Sequence, residues 1–134
     1  MALLQWSPAL TLGVTDMDKE HQELLSTMNR IHELAQTKAD KTTLDVAILR
    51  LAKLTEKHFA DEEKHMEAIG FPDLKRHALI HKDMLKKVGE HYAAFQKGNG
   101  TVPQAFFDFL THWLTAHIKG IDKKYADHGK PAKV

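Results

Sequence analysis

A chain of 134 residues with no cysteine is long enough to bury its own core, and it excludes disulfide staples, thiolate zinc sites and cysteine-ligated iron–sulfur clusters. Nineteen Lys+Arg against 18 Asp+Glu leave a net charge of +1, too weak a field to recruit nucleic acid or an anionic membrane. There is no apolar run of about 18 residues and no signal-like leader, so a single soluble, cytoplasmic domain over 1–134 is expected.

Residues 1–14, with Trp6, Pro8 and Gly13, carry no sustained helical period and are expected to form an extended arm across the body, anchored by Trp6. Thr15 or Asp16 is placed to cap a first helix, in which Met17, His21, Leu24, Leu25, Met28, Ile31, Leu34 and Ala35 recur at helical spacing to about Thr37. Residues 39–42 read as a polar turn. Thr43 is placed to cap a second run, with Leu44, Ala47, Ile48, Leu51, Leu54, His58, Phe59, Glu62, Met66 and Ile69 on its inner side and Gly70 as its stop. A third run starts near Pro72 or Asp73 and carries Leu74, His77, His81, Met84, Leu85, Val88, Tyr92 and Phe95. Gly89 is a tolerated weak point within it, and Gly98-Asn99-Gly100 closes it. Thr101 or Val102 followed by Pro103 opens a fourth helix with the inner stripe Phe106, Phe109, Leu110, Trp113, Leu114 and His117. Gly120 should loosen or end it, a short further helical turn is expected over 121–126, and the Lys-rich residues 130–134 read as a frayed tail. Four amphipathic helices, short turns and no strand signal predict an all-α, up-down-up-down four-helix bundle.

Ten histidines, about three times ordinary usage, mark the chain as one that employs imidazole. His58 and Glu62 are four residues apart, as are His77 and His81, and that spacing sets each pair on one helical face with side chains roughly 6 Å apart. The stop at Gly70 and restart at Pro72 turn the two pairs toward each other on antiparallel helices, while His21 and His117 point inward from the first and fourth. A lone histidine on an apolar face is most often a core residue. Six buried ionisable groups among Leu, Phe and Ile would cost several kcal/mol apiece unless neutralised and hydrogen-bonded, and a metal cluster does both. With nitrogen and oxygen donors only, iron, manganese, zinc or copper fits. His32, His65, His91, His112 and His128 lack the combination of inner face and level, and read as surface or interfacial; His65 shares a side with His58 but sits about two turns, ~10 Å, beyond it. Asp122 follows His117 by five residues, about 140° out of phase on a regular α-helix, yet a loosened or π-like turn at Gly120 would bring its carboxylate back under the imidazole. The bland alternative is a surface Asp beside Lys123 and Lys124.

The order His21, His58-x3-Glu62, His77-x3-His81 and His117-x4-Asp122 is similar to the hemerythrin ligand pattern. The flanks resemble the single-domain bacterial form: Trp6 with Gly13-Val14, Asp18-Lys19-Glu20-His21, His58-Phe59-Ala60-Asp61-Glu62-Glu63, and Trp113-Leu114-Thr115-Ala116-His117-Ile118. The match spans nearly the whole chain and fills all seven ligand positions. Five imidazoles and two carboxylates exceed the roughly six ligands one metal takes, so the count argues for two ions bridged by the carboxylates. The resemblance implies iron, with His77, His81 and His117 on one ion and His21 and His58 on the other. It implies that Glu62 and Asp122 bridge them together with an oxo or hydroxo group. One position then stays open on the two-histidine iron, where dioxygen would bind end-on.

A histidine-rich site with one open position and no evident general acid favours reversible oxygen binding, for transport, storage or delivery, over enzymatic turnover. Leu114, three residues before His117, is expected to wall the oxygen pocket with Trp113, Leu25 and Phe59. Two alternatives stand beside this reading: a di-iron enzyme acting on peroxide or nitric oxide, and an oxygen- or iron-sensing module, the latter weakened by the lack of an appended signalling domain. Dioxygen and a transient acceptor protein are the partners expected of a monomer.

Overall fold

Helical winding accounts for most of the chain in the computed structural model, which describes residues 5–128; the expected tail at 130–134, the first four residues of the expected arm and the side chain of His128 lie outside what is described. The element order is a 3-10 turn at Pro8–Leu10, α1 at Thr15–Gln36, α2 at Lys41–Ala68, α3 at Leu74–Lys97, α4 at Gln104–His117, a π-helical turn at Ile118–Asp122 and α5 at Lys123–His128. No strand occurs among the described residues, and the four long helices run as an up-down-up-down bundle. Packing joins α2 to both α1 and α3, and brings α4 back against α1.

The segment before α1 is not uniformly extended. It turns at Pro8–Leu10, and Leu10 and Leu12 are buried whereas Trp6 is half-buried. Neither Thr15 nor Asp16 caps α1: Val14 stands at the N-cap with no side-chain hydrogen bond. Instead the Asp18 carboxylate, one turn in, accepts from the Leu12 N–H at 2.8 Å and the Gly13 N–H at 3.1 Å. A charged acceptor for two donors outweighs a single cap, and Gly13, with φ +84°, makes the sharp entry that allows it.

α2 starts three residues earlier than expected, because Asp40 takes the N-cap and accepts from the Thr43 N–H at 2.8 Å. The Lys41 ammonium at its start donates to the carbonyls of Gln96 at 2.6 Å and Gly98 at 2.8 Å, satisfying the open end of α3 where a cation also suits the helix dipole. On α4 the expected stripe needs one correction: Phe107 is buried and Phe109 is half-buried. Measured from Leu110, Phe109 lies about 100° to one side and Phe107 about 60° to the other, with His91 covering the ring of Phe109 at 5.0 Å. Thr55 is a core residue that hydropathy overlooked, its hydroxyl donating to the Leu51 carbonyl at 2.7 Å so that no polar atom is stranded. Met28, Ile31, Ile48, Leu51 and Leu110 form the centre of the core, and the ionisable side chains form the layer beneath it.

Candidate metal centre

Each helix contributes to one buried layer: His21 from α1, His58 and Glu62 from α2, His77 and His81 from α3, His117 at the end of α4 and Asp122 at the end of the π turn. All seven side chains are at most 4% exposed. Their donor atoms fall into two groups, Glu62, His77, His81, His117 and Asp122 in one and His21, His58, Glu62 and Asp122 in the other, with the atoms of each group within 4.8 Å of one another. Both carboxylates therefore belong to both groups.

The separations give the sharing its detail. Asp122 Oδ1 lies 3.0 Å from His77 Nε2 and 2.9 Å from His117 Nε2, while Oδ2 lies 3.1 Å from His21 Nε2. Glu62 Oε1 lies 3.1 Å from His81 Nε2 and 3.3 Å from His58 Nε2, and Oε2 lies 3.3 Å from His21 Nε2. His81 Nε2 and His117 Nε2 face each other at 3.2 Å. Despite these distances, His21 Nε2, His58 Nε2, His77 Nε2, Glu62 Oε1 and both Asp122 oxygens make no hydrogen bond. Lone pairs converge on common points instead of pairing with one another, and buried polar atoms left so close without a partner need a cation. Five imidazoles and two carboxylates, with no sulfur, suit a pair of borderline first-row ions.

The π turn solves the phase problem at Asp122. The Lys123 N–H donates to the Ile118 carbonyl, an i→i−5 bond, and this wider winding sets Asp122 under His117 as the loosened-turn reading required. Glycine freedom is not its cause: a Cβ at Gly120 would meet nothing within 4 Å, and Gly120 is absent from the positive-φ residues.

Three further side chains hold the layer in place, and none was assigned a role from sequence. His58 Nδ1 is 2.6 Å from Glu20 Oε1 and His81 Nδ1 is 3.1 Å from Glu63 Oε2. A carboxylate at Nδ1 keeps the proton there and leaves the Nε2 lone pair free for a metal. The hydroxyl of Tyr125, itself buried, donates to Glu62 Oε2 at 2.5 Å. Glu20 and Glu63 stood inside the quoted motifs, so an acidic neighbour beside each ligand was the available signal; for Tyr125, three residues beyond Asp122, there was none.

Electrostatics bind the layer tightly even without a cation. Burial alone would lower the His58 imidazole, but Glu62, the Glu20 hydrogen bond and Asp122 push it up to about 10. Burial likewise opposes the rise at His21, where Asp122 and Glu62 prevail. Glu62 is pushed up by burial and held well below its ordinary range by His58, His21 and His81. Burial and Glu62 would raise Asp122, yet His117 and His21 hold it below its ordinary value. Burial first, then Glu62 and Asp122, drive the Tyr125 hydroxyl upward and keep it a donor.

The four expected pocket residues, Leu25, Phe59, Trp113 and Leu114, are all buried. Phe59 stacks on His81 with ring centroids 3.8 Å apart, and Trp113 lies 5.7 Å from Phe59 and 6.4 Å from His117, so both aromatics stand against the three-histidine group. None of His32, His65, His91 and His112 joins either group. His32 and His91 pack on the aromatics of α4, His65 lies 5.5 Å from the Tyr125 ring, and His112 is exposed.

The hemerythrin HHE cation binding domain matches residues 12–128. The chain belongs to the hemerythrin family. It is 34% identical over 130 residues to a bacteriohemerythrin of Stenotrophomonas maltophilia, spanning 97% of this chain and 84% of that one. It is 32% identical over 120 residues to a myohemerythrin of Riftia pachyptila, spanning 90% and 88%. The fold is similar to a crystal structure of a hemerythrin mutant, with a TM-score of 0.86 and 26% identity over 96% of this chain and 98% of that one. Family membership and the buried histidine–carboxylate layer together support a di-iron-binding domain. No helix among the described residues is long and apolar enough to cross a membrane.

Proposed function

We propose that this protein binds dioxygen reversibly at a non-haem di-iron centre, to carry, store or deliver it, and is not an enzyme. The observation that carries the reading is the sharing of Glu62 and Asp122 between a three-histidine group and a two-histidine group. In this reading His77, His81 and His117 would hold one iron, His21 and His58 the other, and Glu62 and Asp122 would be shared between them. Bound there, the iron pair supplies the electrons that dioxygen binding draws on and returns.

The protein's own part is to orient, to balance charge and to exclude water. Glu20 and Glu63 fix the tautomers of His58 and His81, and Tyr125 pins one oxygen of Glu62. Five neutral imidazoles against two carboxylates keep the site less negative than the carboxylate-rich sites of oxygen-activating di-iron bundles, which favours return of the oxygen over its activation. The two-histidine side has fewer protein donors and is the side for dioxygen. Leu25, one turn from His21, and Leu114, one turn from His117, wall that space, with Phe59 and Trp113 closing it from the three-histidine side. An apolar wall withholds the water and protons that would convert binding into oxidation.

The test is the optical spectrum of the iron-loaded protein in air and after deoxygenation. A coloured form that bleaches under vacuum and returns in air supports a carrier. Net consumption of oxygen with peroxide or water appearing supports the di-iron enzyme instead.

A further inference from the structure

Two ligand histidines, His58 and His81, meet partly exposed carboxylates through their second ring nitrogen, and the surroundings of the two carboxylates differ. His58 Nδ1 meets Glu20, whose other oxygen is 3.8 Å from Lys57, and Glu23 and Asp61 line the same side. Lys19 and Lys64 line that side too, and Lys57 pairs with Asp61 at 2.9 Å, so its charges are mixed and already ion-paired. His81 Nδ1 meets Glu63, whose side chain is 37% exposed and, with His81, lines a shallow depression of about 570 Å³ on α2 and α3. Leu79 and Leu85 make its apolar wall, and Lys75 and Lys82 its rim.

Leu79 is 68% exposed, more than any other large apolar side chain among the described residues. Lys75, Leu79, Lys82 and Lys86 follow one another at spacings of four, three and four, and so form a single outward stripe of α3. All three lysines are exposed, and none has a carboxylate partner among the described residues, in contrast to Lys87 with Asp83 at 3.1 Å. An apolar centre within an unpaired cationic rim complements an acidic protein surface. An iron pair that has lost its electrons needs a donor, and the path through His81 and Glu63 opens onto such a face.

We propose that the Leu79 face of α3 is the docking surface of an acidic electron-transfer protein, a reduced flavin or iron–sulfur protein, which restores the iron pair through Glu63 and His81. This rests on the di-iron reading above. Each encounter moves one electron from the donor to the pair. Two encounters take a diferric pair to the diferrous state, with charge balanced by proton uptake from solvent, and the donor is oxidised by two electrons in total. The face is small, as suits redox encounters that bury less than about 1,200 Å² in total.

The test combines Lys75→Gln, Leu79→Ser and Lys82→Gln, none of them in the metal centre, and uses reduced flavodoxin as the probe. Reduction of the oxidised, iron-loaded protein by flavodoxin should slow about tenfold or more in the triple variant, and should slow with added salt in the unmodified protein. Reduction by dithionite, which needs no docking, should change by less than about twofold, with the melting temperature held. Equal flavodoxin rates, or equal losses with both reductants, would overturn the proposal. Calorimetric titration with oxidised flavodoxin reads docking apart from redox chemistry: salt-sensitive association that the triple variant loses supports the face, and its absence overturns it. A protein whose spectrum dithionite leaves unchanged would overturn the di-iron reading, and the electron-transfer role with it, while the titration still decides the face.

Discussion

At the scale of single residues, Glu62 is where the two halves of the metal layer meet, and the consequences of losing it differ from those of losing a terminal ligand. A bridge serves two ions and His21 serves one, so Glu62→Ala should abolish the pair while His21→Ala retains a larger share of the metal. Iron per chain decides it; two irons retained in Glu62→Ala with loss in His21→Ala would reverse the assignment. Tyr125→Phe keeps the ring and removes the donor to the buried Glu62 carboxylate, which should cost about 1.5–3 kcal/mol of stability in a denaturant titration. No change there would mean that Glu62 finds another donor. Leu114→Ala opens a cavity beside His117 and should cost ~2–5 kcal/mol whether or not Leu114 walls the oxygen space. The lifetime of the oxygenated protein, measured where the variant stays folded, separates the two roles: a shorter lifetime supports the wall, and an equal or longer one removes Leu114 from it.

At the scale of elements, regular winding was legible and departures from it were legible only in part. The pairs His58/Glu62 and His77/His81 could be placed on facing helices because i,i+4 spacing means one thing on an α-helix. Asp122 needed a π turn, and the five-residue spacing pointed to that irregularity; the spacing misled about its cause, since the winding at Gly120 asks nothing of glycine. Gly120→Ala should therefore keep full iron content and hold or raise stability by about 0.4–1 kcal/mol through the unfolded chain. Loss of iron in that variant would show that the turn depends on glycine after all. Glu20, Glu63 and Tyr125 escaped notice because their partners His58, His81 and Glu62 lie 38, 18 and 63 residues away, and such contacts exist only once the helices are packed. The caps failed for a local reason: Asp18 gathers the Leu12 and Gly13 N–H groups ahead of α1 and Asp40 takes the N–H of Thr43, so each helix begins before its expected threonine could act as a cap.

At the scale of the whole molecule, the buried layer couples folding to metal and to pH with opposite signs. In the metal-free chain His58 is raised from 6.5 to about 10, so its stabilisation is complete below pH 6.5 and is lost as pH climbs toward 10. Glu62 is depressed from 4.5, so its contribution is present above that pH and is lost on acidification. The metal-free protein should melt highest between those limits and lower toward pH 10. Iron must displace the protons on the imidazoles, so its affinity should rise over that same alkaline range and fall in acid. Melting temperatures of the two forms against pH should diverge as pH rises; parallel curves would detach the layer from the core. Chelation at neutral pH should lower both melting temperature and helical content, because the layer lies inside the bundle. Reversible oxygen binding itself is tested most directly by gas uptake on the reduced, iron-loaded protein, counting dioxygen taken up in air and recovered under vacuum over repeated cycles. One dioxygen per two irons, returned intact on each cycle, is the expected result, and oxygen consumed without recovery would contradict it.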